Sequence, residues 1–353
     1  MGVLGLGYVE LWVGNARQSA AFFSNCFGFS VAPPAGPRSG PDDRVSYVLR
    51  QGTITLVVTG AATPDSPVAG YVHAHGDGVR DIALVADDAS TLFRRAVEGG
   101  AKVIPPEASG GSSTRPMIAT FGDTVHTLLD GNDPLALSVA GEPTGIESLG
   151  PVGLVSIDHY AVSVESGGCA GWTSHYGSAL GFEPATRDEH VEVNGSAFTM
   201  STVRVPGGPG AFVFAEPAPS RNKSQIAHYL EQFGGPGVHH IAFSTNDIRR
   251  TVLSLRTRGI PMLEIAASYS RNADERLREI DVDWRELADL GVMVDVDDEG
   301  YLLQAFTQPL GDRPTTYLEI IQREGTKGFG AQNVRALYST VVREQEQSHS
   351  SRS

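Results

Sequence analysis

The chain has 353 residues, and its 41 acidic and 27 basic residues give a formal net charge of −14. This negative charge argues against nucleic acid or an anionic membrane surface as a partner. No apolar run approaches 18 residues, and Cys26 and Cys169 are the only cysteines. The sequence therefore predicts no membrane-spanning helix, no disulfide framework and no cysteine zinc site. Since no secretion signal opens the sequence, we expect a cytoplasmic protein.

The predicted elements, taken in chain order, form an internal repeat. Residues 7–33 and 156–185 both read as a strand, a loop, an amphipathic helix that ends at Gly-Phe, and a second strand. Residues 75–106 and 234–265 share the order strand, helix, strand. This repeat predicts two halves, each built from two βαβ-type units that are followed by further strands.

The helices of residues 75–106 and 234–265 carry apolar residues at i, i+3 and i+4 spacing, which predicts one buried face on each. The predicted faces consist of Leu92, Phe93, Ala96 and Val97 in the first half and of Val252, Leu253 and Leu255 in the second.

The domain boundaries follow from composition. A stretch rich in Gly, Pro and Glu at residues 139–153 predicts a linker. We therefore place an N-terminal domain at residues 1–145 and a C-terminal domain at residues 152–345. The second half contains an insertion, residues 266–299, that the first half lacks, and the polar tail at residues 346–353 is expected to be disordered.

Two adjacent histidines interrupt the apolar strand GVHHIAFS. Aligning VHHIAF on IDHYAV pairs the second of them, His240, with His159, so the repeat predicts that these two side chains converge. A third polar residue, Glu319, breaks the apolar strand TYLEIIQ. Two imidazoles and one carboxylate are the ligand set of non-haem Fe(II) sites that leave positions open for substrate and O2. Zinc accepts the same ligands. His239 is expected to point outward or to lie behind the ligands.

The first half offers an internal control. The positions that align with His159, His240 and Glu319 are Glu10, Asp81 and Thr127, a set without any imidazole. The sequence therefore predicts a metal in the C-terminal half alone. Glu10 and Asp81 are expected to cap an element or to face water.

Several stretches together resemble the 4-hydroxyphenylpyruvate dioxygenase and 4-hydroxymandelate synthase family, over about residues 7–345. They include HGDGVRDIA, IDHYAV, SQIAHYLEQFGGPGVHHIAFSTND, GYLLQAFTQP, RPTTYLEIIQREG and GFGAQNVRALY. The resemblance implies an α+β fold of the vicinal-oxygen-chelate type, with two βαβββ modules per half that form open barrels. It also implies Fe(II) as cofactor, held by His159, His240 and Glu319, and 4-hydroxyphenylpyruvate and O2 as substrates. Members of the family are commonly oligomeric, so we expect a homo-oligomer, most simply a dimer.

The resemblance also implies a substrate pocket near the metal. Its expected residues are Ser201, Ala215, Gln225, Gln304, Tyr317, Phe329, Val334 and Tyr338. The helix near NVRALYSTVV resembles the one that covers the pocket in this family.

Departures from the dioxygenase pattern decide which reaction we expect. Ala215 stands where the dioxygenases usually have asparagine, and Val334 stands where they usually have phenylalanine. The mandelate synthases carry aliphatic residues at both positions. We therefore expect 4-hydroxymandelate as the product, used as an aryl-glycine precursor in antibiotic biosynthesis, with homogentisate as the alternative product.

Two more distant hypotheses remain open at this point. An extradiol catechol dioxygenase shares the fold and the three ligands, and His239 would then be its candidate base. A non-catalytic binding protein of the same fold would take up no iron. His239, which stands where the family usually has glutamine, is unexplained by the resemblance.

Overall fold

The computed structural model of the protein describes residues 2–32, 42–105, 115–131, 145–264, 283–330 and 333–334. Tyr338, the tail at residues 346–353, the first half of the predicted insertion and most of the predicted C-terminal helix lie outside the described residues. No helix within the described ranges is long and apolar enough to cross a membrane.

The described residues of the first half form one mixed sheet with three helices. Its strands are β1 (Val3–Trp12), β2 (Ser30–Val31), β3 (Arg44–Gln51), β4 (Ile54–Ala61), β5 (Gly78–Ala86), β6 (Met117–Ala119) and β7 (Val125–Asp130). Its helices are α1 (Ala16–Phe27), α2 (Pro67–His75) and α3 (Ala89–Glu98). The strand order across the sheet is β2-β3-β4-β1-β5-β7-β6.

The second half repeats this arrangement in a second sheet. Its strands are β8 (Leu154–Ser163), β9 (Glu183–Val193), β10 (Ser196–Arg204), β11 (Ala211–Pro217), β12 (Gly237–Thr245), β13 (Met293–Asp297), β14 (Gly300–Phe306) and β15 (Tyr317–Glu324). Its helices are α4 (Gly168–His175), which continues as a π-helical turn at Tyr176–Leu180, α5 (Gln225–Phe233), α6 (Ile248–Thr257) and α7 (Trp284–Asp289). The strand order is β13-β14-β15-β12-β8-β11-β10-β9.

Strand directions match between the two sheets, as the sequence repeat predicts. In each sheet the two central strands, β1 with β5 and β8 with β12, run antiparallel. Each central strand pairs in parallel with its outer neighbour, β4, β7, β11 or β15. The predicted insertion supplies α7 and the edge strand β13, which explains why the second sheet has eight strands and the first has seven.

Local sequence signals begin six of the described helices, because a side chain at the N-cap accepts a hydrogen bond from the first turn. These caps are Asn15, Ser66, Asp88, Ser224, Asp247 and Asp283. The exception is α4, whose N-cap is Gly167.

The apolar faces predicted for α3 and α6 are confirmed except at one residue in each helix. Leu92, Ala96, Val252 and Leu255 are buried, and Phe93 is half-buried against the core. Val97 and Leu253 are 37% and 41% exposed. Each follows a buried or half-buried residue directly, and one residue turns a helix by about 100°, which carries the side chain off the buried face.

Gln51 joins the two halves at the start of the strand that carries His159. Its Nε2 donates to the carbonyl of Phe27 at 2.7 Å, and its Oε1 accepts from the backbone N–H groups of Val152, Gly153 and Leu154 at 3.0–3.2 Å. The side chain is only 6% exposed, so these backbone groups have little access to water.

We expect Gln51→Leu to lower the free energy of unfolding by about 2–4 kcal/mol, because it leaves several buried backbone groups without partners. Urea unfolding followed by circular dichroism measures the change. Gln18→Leu, on the exposed side of α1, is the matched control. A loss below about 0.5 kcal/mol, the usual range of surface substitutions, would contradict the anchoring role of Gln51.

Candidate metal centre

Three neighbouring strands of the second sheet bring His159, His240 and Glu319 together. Strand β12 lies between β8 and β15, and its residue Ala242 pairs with His159 on one side and with Glu319 on the other. His240 lies two residues before Ala242 and therefore projects from the same face. The small Ala242 side chain leaves the space between the three larger ones open.

The three side chains present one nitrogen or oxygen atom each to a common point. Their ligand atoms all lie within 4.8 Å of one another. The Nε2 atoms of His159 and His240 each lie 3.2 Å from Oε2 of Glu319. Ligands about 2.1 Å from one ion and at right angles are about 3.0 Å apart, so these distances fit a single first-row metal ion. The sequence prediction that the three side chains converge is confirmed.

The ion pair of Asp158 and Arg323 holds the ring of His159 on the side away from the other two ligands. Its Nδ1 hydrogen-bonds Oδ1 of Asp158 at 2.8 Å, and the Arg323 guanidinium donates to both oxygens of Asp158 at 2.8 and 2.9 Å. A carboxylate on the far nitrogen of a ligating histidine fixes which nitrogen faces the metal. Arg323 in turn keeps Asp158 ionised and in place.

The other two ligands have different surroundings. Oε1 of Glu319 accepts a hydrogen bond from Nε2 of Gln304 at 2.8 Å. His240 packs its ring against Tyr317, with 5.0 Å between centroids, and against His239, with 4.5 Å. Among the described residues, Nδ1 of His240 has no hydrogen-bond partner.

Burial and charge set the protonation of the metal-free site. Burial disfavours the charged form of Glu319, but the two histidines outweigh it and lower its pKa to about 2. Burial likewise disfavours the imidazolium of His159, yet Glu319 and Asp158 raise its pKa to about 9. Burial lowers the pKa of His240. Before a metal binds, the site therefore holds one carboxylate, one protonated histidine and one neutral histidine at pH 7.

A cavity of about 60 Å3 opens beside these ligands. The predicted pocket residues that line it are Ala215, Gln225, Gln304, Tyr317, Phe329 and Val334. Phe329 sets its ring edge-on to His159, with 5.0 Å between centroids, and the guanidinium groups of Arg204 and Arg323 lie over its ring. The wall is therefore mostly apolar, with amides from Gln225 and Gln304.

Ser201 does not line this cavity, contrary to the sequence prediction. Register pairs Ser201 with Phe214 and Met200 with Ala215, and successive side chains of a strand point to opposite faces. Met200 therefore shares the cavity face with Ala215, and it is the cavity residue of this strand. Sequence reasoning missed it, although counting back through the β10–β11 hairpin from Ala215 would have found it.

His239 also lines the cavity, whereas the sequence predicts that it points outward or lies behind the ligands. Adjacent residues of a regular strand cannot face the same side, but the β8–β12 register shifts between Val238 and His240. Such a bulge turns a side chain toward the site. His239 is 6% exposed, and its Nδ1 has no hydrogen-bond partner among the described residues.

Comparisons with known proteins agree with this geometry. Residues 1–135 match the family model described as hydroxyphenylpyruvate dioxygenase, N-terminal, and residues 156–272 match that of the glyoxalase, bleomycin resistance protein and dioxygenase superfamily. The 4-hydroxyphenylpyruvate dioxygenase of Yarrowia lipolytica is 33% identical, over 97% of this chain and 92% of the relative. The chain belongs to the 4-hydroxyphenylpyruvate dioxygenase family. The Danio rerio enzyme of the same name is also 33% identical, over 97% of this chain and 91% of its own.

A solved structure extends the family match to a second activity. A triple mutant of 4-hydroxymandelate synthase from Streptomyces coelicolor superposes with a TM-score of 0.83 and 36% identity, over 97% of this chain and 99% of that one. The vicinal-oxygen-chelate fold and the dioxygenase and mandelate synthase family expected from the sequence are therefore confirmed, as is an enzyme of the dioxygenase type.

The first half carries an acidic pair on its two central strands, with Asp81 buried and Glu10 half-buried. Glu10 pairs with Asp81 in the β1–β5 register, and burial raises the pKa of both. Asp81 accepts from the hydroxyls of Tyr8 and Thr127 at 2.7 and 2.5 Å, and Glu10 accepts from Thr59 at 2.5 Å. These contacts correct the expectation that the two acids cap an element or face water. The pair lacks the imidazoles that the second half of the family fold supplies.

We expect metal binding to release about one proton at pH 7.5. His159, with its pKa near 9, is protonated in the metal-free protein and must become neutral to bind, whereas Glu319 and His240 already have the required charge. Calorimetric titration with Co(II) in two buffers of different ionisation enthalpy gives the number of protons released per metal ion bound. The release should shrink as pH rises through 9, and a count near zero at pH 7.5 would contradict the assignment of charge.

Proposed function

We propose that this protein is a 4-hydroxymandelate synthase that binds Fe(II) through His159, His240 and Glu319. The overall reaction converts 4-hydroxyphenylpyruvate and O2 to 4-hydroxymandelate and CO2. The substrate loses its carboxyl group as CO2, its keto carbon becomes the carboxyl group of the product with one oxygen atom of O2, and the benzylic carbon gains a hydroxyl that contains the other. The product would supply an aryl-glycine precursor for antibiotic biosynthesis. We further propose that the enzyme is a cytoplasmic homodimer.

One observation carries the choice of product. Ala215 and Val334, the two small residues that replace the asparagine and phenylalanine usual in the dioxygenases, both line the cavity beside the ligands. They pack in one apolar cluster with Phe329. A wall of small apolar side chains lets the substrate ring lie closer to β11 and bring its benzylic carbon toward the metal.

Different residues of the chain would hold the metal, orient its ligands and bind the substrate. When bound, Fe(II) would supply the activation of O2 that is coupled to decarboxylation of the keto acid. Asp158 and Gln304 orient the ligands, and the apolar wall excludes water from the reacting atoms. Gln225 and Tyr317 remain predicted contacts of the substrate, as does Phe329, whose ring lies next to His159. The cavity is smaller than pockets for small molecules usually are, so its wall must adjust when substrate enters.

The alternative function is 4-hydroxyphenylpyruvate dioxygenase, which makes homogentisate from the same substrates. The relatives from Yarrowia lipolytica and Danio rerio, both named as dioxygenases, favour it.

Product identification separates the two proposals. Purified apoprotein is loaded with Fe(II) under anaerobic conditions, then given 4-hydroxyphenylpyruvate and O2, and the products are resolved by chromatography and mass spectrometry. We expect 4-hydroxymandelate and one CO2 per O2 consumed. Homogentisate as the main product would establish the alternative. Catechol cleavage, or no uptake of Fe(II), would refute both.

A further inference from the structure

We propose that Asn333 is a positioning residue for the metal ligand Glu319 and acts through the side chain of Gln304. The inference rests on the proposed metal site but does not depend on which product the enzyme makes. It gives Gln304 a role toward the ligand, in addition to the contact with substrate that the sequence suggests.

The three side chains form an unbroken buried chain of hydrogen bonds. Nδ2 of Asn333 donates to Oε1 of Gln304 at 2.8 Å, and Nε2 of Gln304 donates to Oε1 of Glu319 at 2.8 Å. Asn333 and Glu319 are each 1% exposed, and Gln304 is 3% exposed. Water therefore cannot easily replace either hydrogen bond.

The chemistry of the end group fixes the direction of the whole chain. An ionised carboxylate such as that of Glu319 only accepts hydrogen bonds. Gln304 must therefore turn its amide nitrogen toward Glu319 and its oxygen toward Asn333. Asn333 must then offer its own amide nitrogen, and this donor stabilises the orientation of the Gln304 amide that Glu319 requires.

This direction selects the oxygen of Glu319 that can bind a metal. With Oε1 engaged by Gln304, only Oε2 faces Nε2 of His159 and of His240, at 3.2 Å from each. The arrangement favours a carboxylate that binds through one oxygen. It leaves more positions on the metal for other ligands than a carboxylate bound through both oxygens would.

Backbone packing holds the Asn333 segment against Gln304. Gly330 has φ of +69°, and a Cβ there would lie 2.6 Å from Oε1 of Gln304, so a larger residue would displace the amide. The N–H of Val334 donates to the carbonyl of Gly330 at 2.8 Å. The same short segment supplies Phe329 and Val334 to the cavity wall, so the wall and the metal ligand are joined through Asn333.

The test is anaerobic titration of apoprotein with Co(II), followed by its visible absorption. In Asn333→Asp the new carboxylate can only accept, so it competes with Glu319 for the amide nitrogen of Gln304 and adds a second buried negative charge near the metal ligand. We expect Co(II) to bind about 10–100-fold more weakly and its spectrum to change. Asn333→Leu, which adds no charge, should weaken binding less. Asn222→Asp, the same change on an exposed loop, is the control and should leave the affinity unaltered.

Non-additivity distinguishes positioning from a general loss of structure. In a Gln304→Met background, Asn333→Leu should have no further effect on Co(II) affinity, because the link to Glu319 is already cut. The thermal midpoints of the apoproteins identify any variant that fails to fold. If Asn333→Asp fails to fold, the Co(II) affinity of Asn333→Leu tests the inference instead. Wild-type affinity, within twofold, in Asn333→Leu and Asn333→Asp would overturn the inference. Failure of the wild-type protein to bind Co(II) would instead overturn the metal site itself.

Discussion

Replacement of any one ligand by alanine, in His159→Ala, His240→Ala or Glu319→Ala, is expected to weaken Fe(II) binding more than about 100-fold and to abolish turnover. Loss of a group that merely orients a ligand costs about 10–100-fold in metal affinity or activity, so loss of a ligand itself must cost more. Metal content after anaerobic loading and gel filtration, together with O2 consumption in the presence of 4-hydroxyphenylpyruvate, measures the two effects.

The variants should still fold, which makes the loss of metal interpretable. Removing Glu319 takes a carboxylate away from a buried imidazolium, but His159 can then release its proton rather than remain an unpaired buried charge. Far-ultraviolet circular dichroism and the thermal midpoint of the apoprotein check this point. Glu319→Gln preserves the size of the side chain and should lose the metal as well, because the amide is a weaker ligand.

Glu10→Gln is the matched control, since Glu10 aligns with His159 in the sequence repeat. It should leave the metal content and the turnover rate unchanged. Retained metal and activity in any of the three alanine variants would mean that the triad does not hold the ion. Loss of metal in Glu10→Gln would show that the first half also takes part.

The ligands could be predicted from the sequence because the repeat carries geometric information. Two histidines at the same place in sister units must lie near each other if the units fold alike, and parallel pairing of β12 with β15 then brings Glu319 alongside. The same alignment identified Thr127 as the counterpart of Glu319. Asp81 pairs with Val125, and Thr127 lies two residues later. His240 pairs with Tyr317, and Glu319 likewise lies two residues later, so the strand register supports that alignment.

Other features of the site depend on details that residue patterns do not encode. The bulge before His240 brings His239 into the cavity, and the apolar residues of GVHHIAFS that flank the two histidines do not signal it. Met200 lines the cavity where the sequence predicts Ser201, and the two differ by one residue in the register of β10. The link from Asn333 to Glu319 joins residues of three separate segments through side chains alone, so periodicity could not reveal it.

The second large effect concerns the product. We expect the double variant Ala215→Asn and Val334→Phe to shift the ratio of homogentisate to 4-hydroxymandelate at least about tenfold toward homogentisate. A tenfold change corresponds to about 1.4 kcal/mol between two competing transition states, an amount that one ring and one amide in the cavity wall can supply. Chromatography of the products at equal conversion gives the ratio.

The physical reason lies in the volume beside the substrate ring. Phenylalanine at residue 334 fills space in a cavity of only about 60 Å3, and asparagine at residue 215 adds a hydrogen-bonding group to the same wall. Together they disfavour the substrate orientation in which the ring leans toward β11. They favour an orientation in which carbon atoms of the ring, rather than the benzylic carbon, face the metal. Met200 lies opposite Ala215 in the β10–β11 register, so its flexible side chain must move to admit the asparagine.

A control variant and a measurement of coupling test whether the change of product comes from these two residues. Val103→Phe, the same substitution at a residue that is 50% exposed, should leave the product ratio unchanged. Comparing O2 consumed with total product separates a redirected reaction from an uncoupled one, in which oxygen is used without either product. Co(II) affinity is measured alongside, since Val334 adjoins Asn333, and a shifted ratio at wild-type affinity would report on the orientation of the substrate and not on the ligands. An unchanged ratio at normal coupling would exclude Ala215 and Val334 as the determinants of the product.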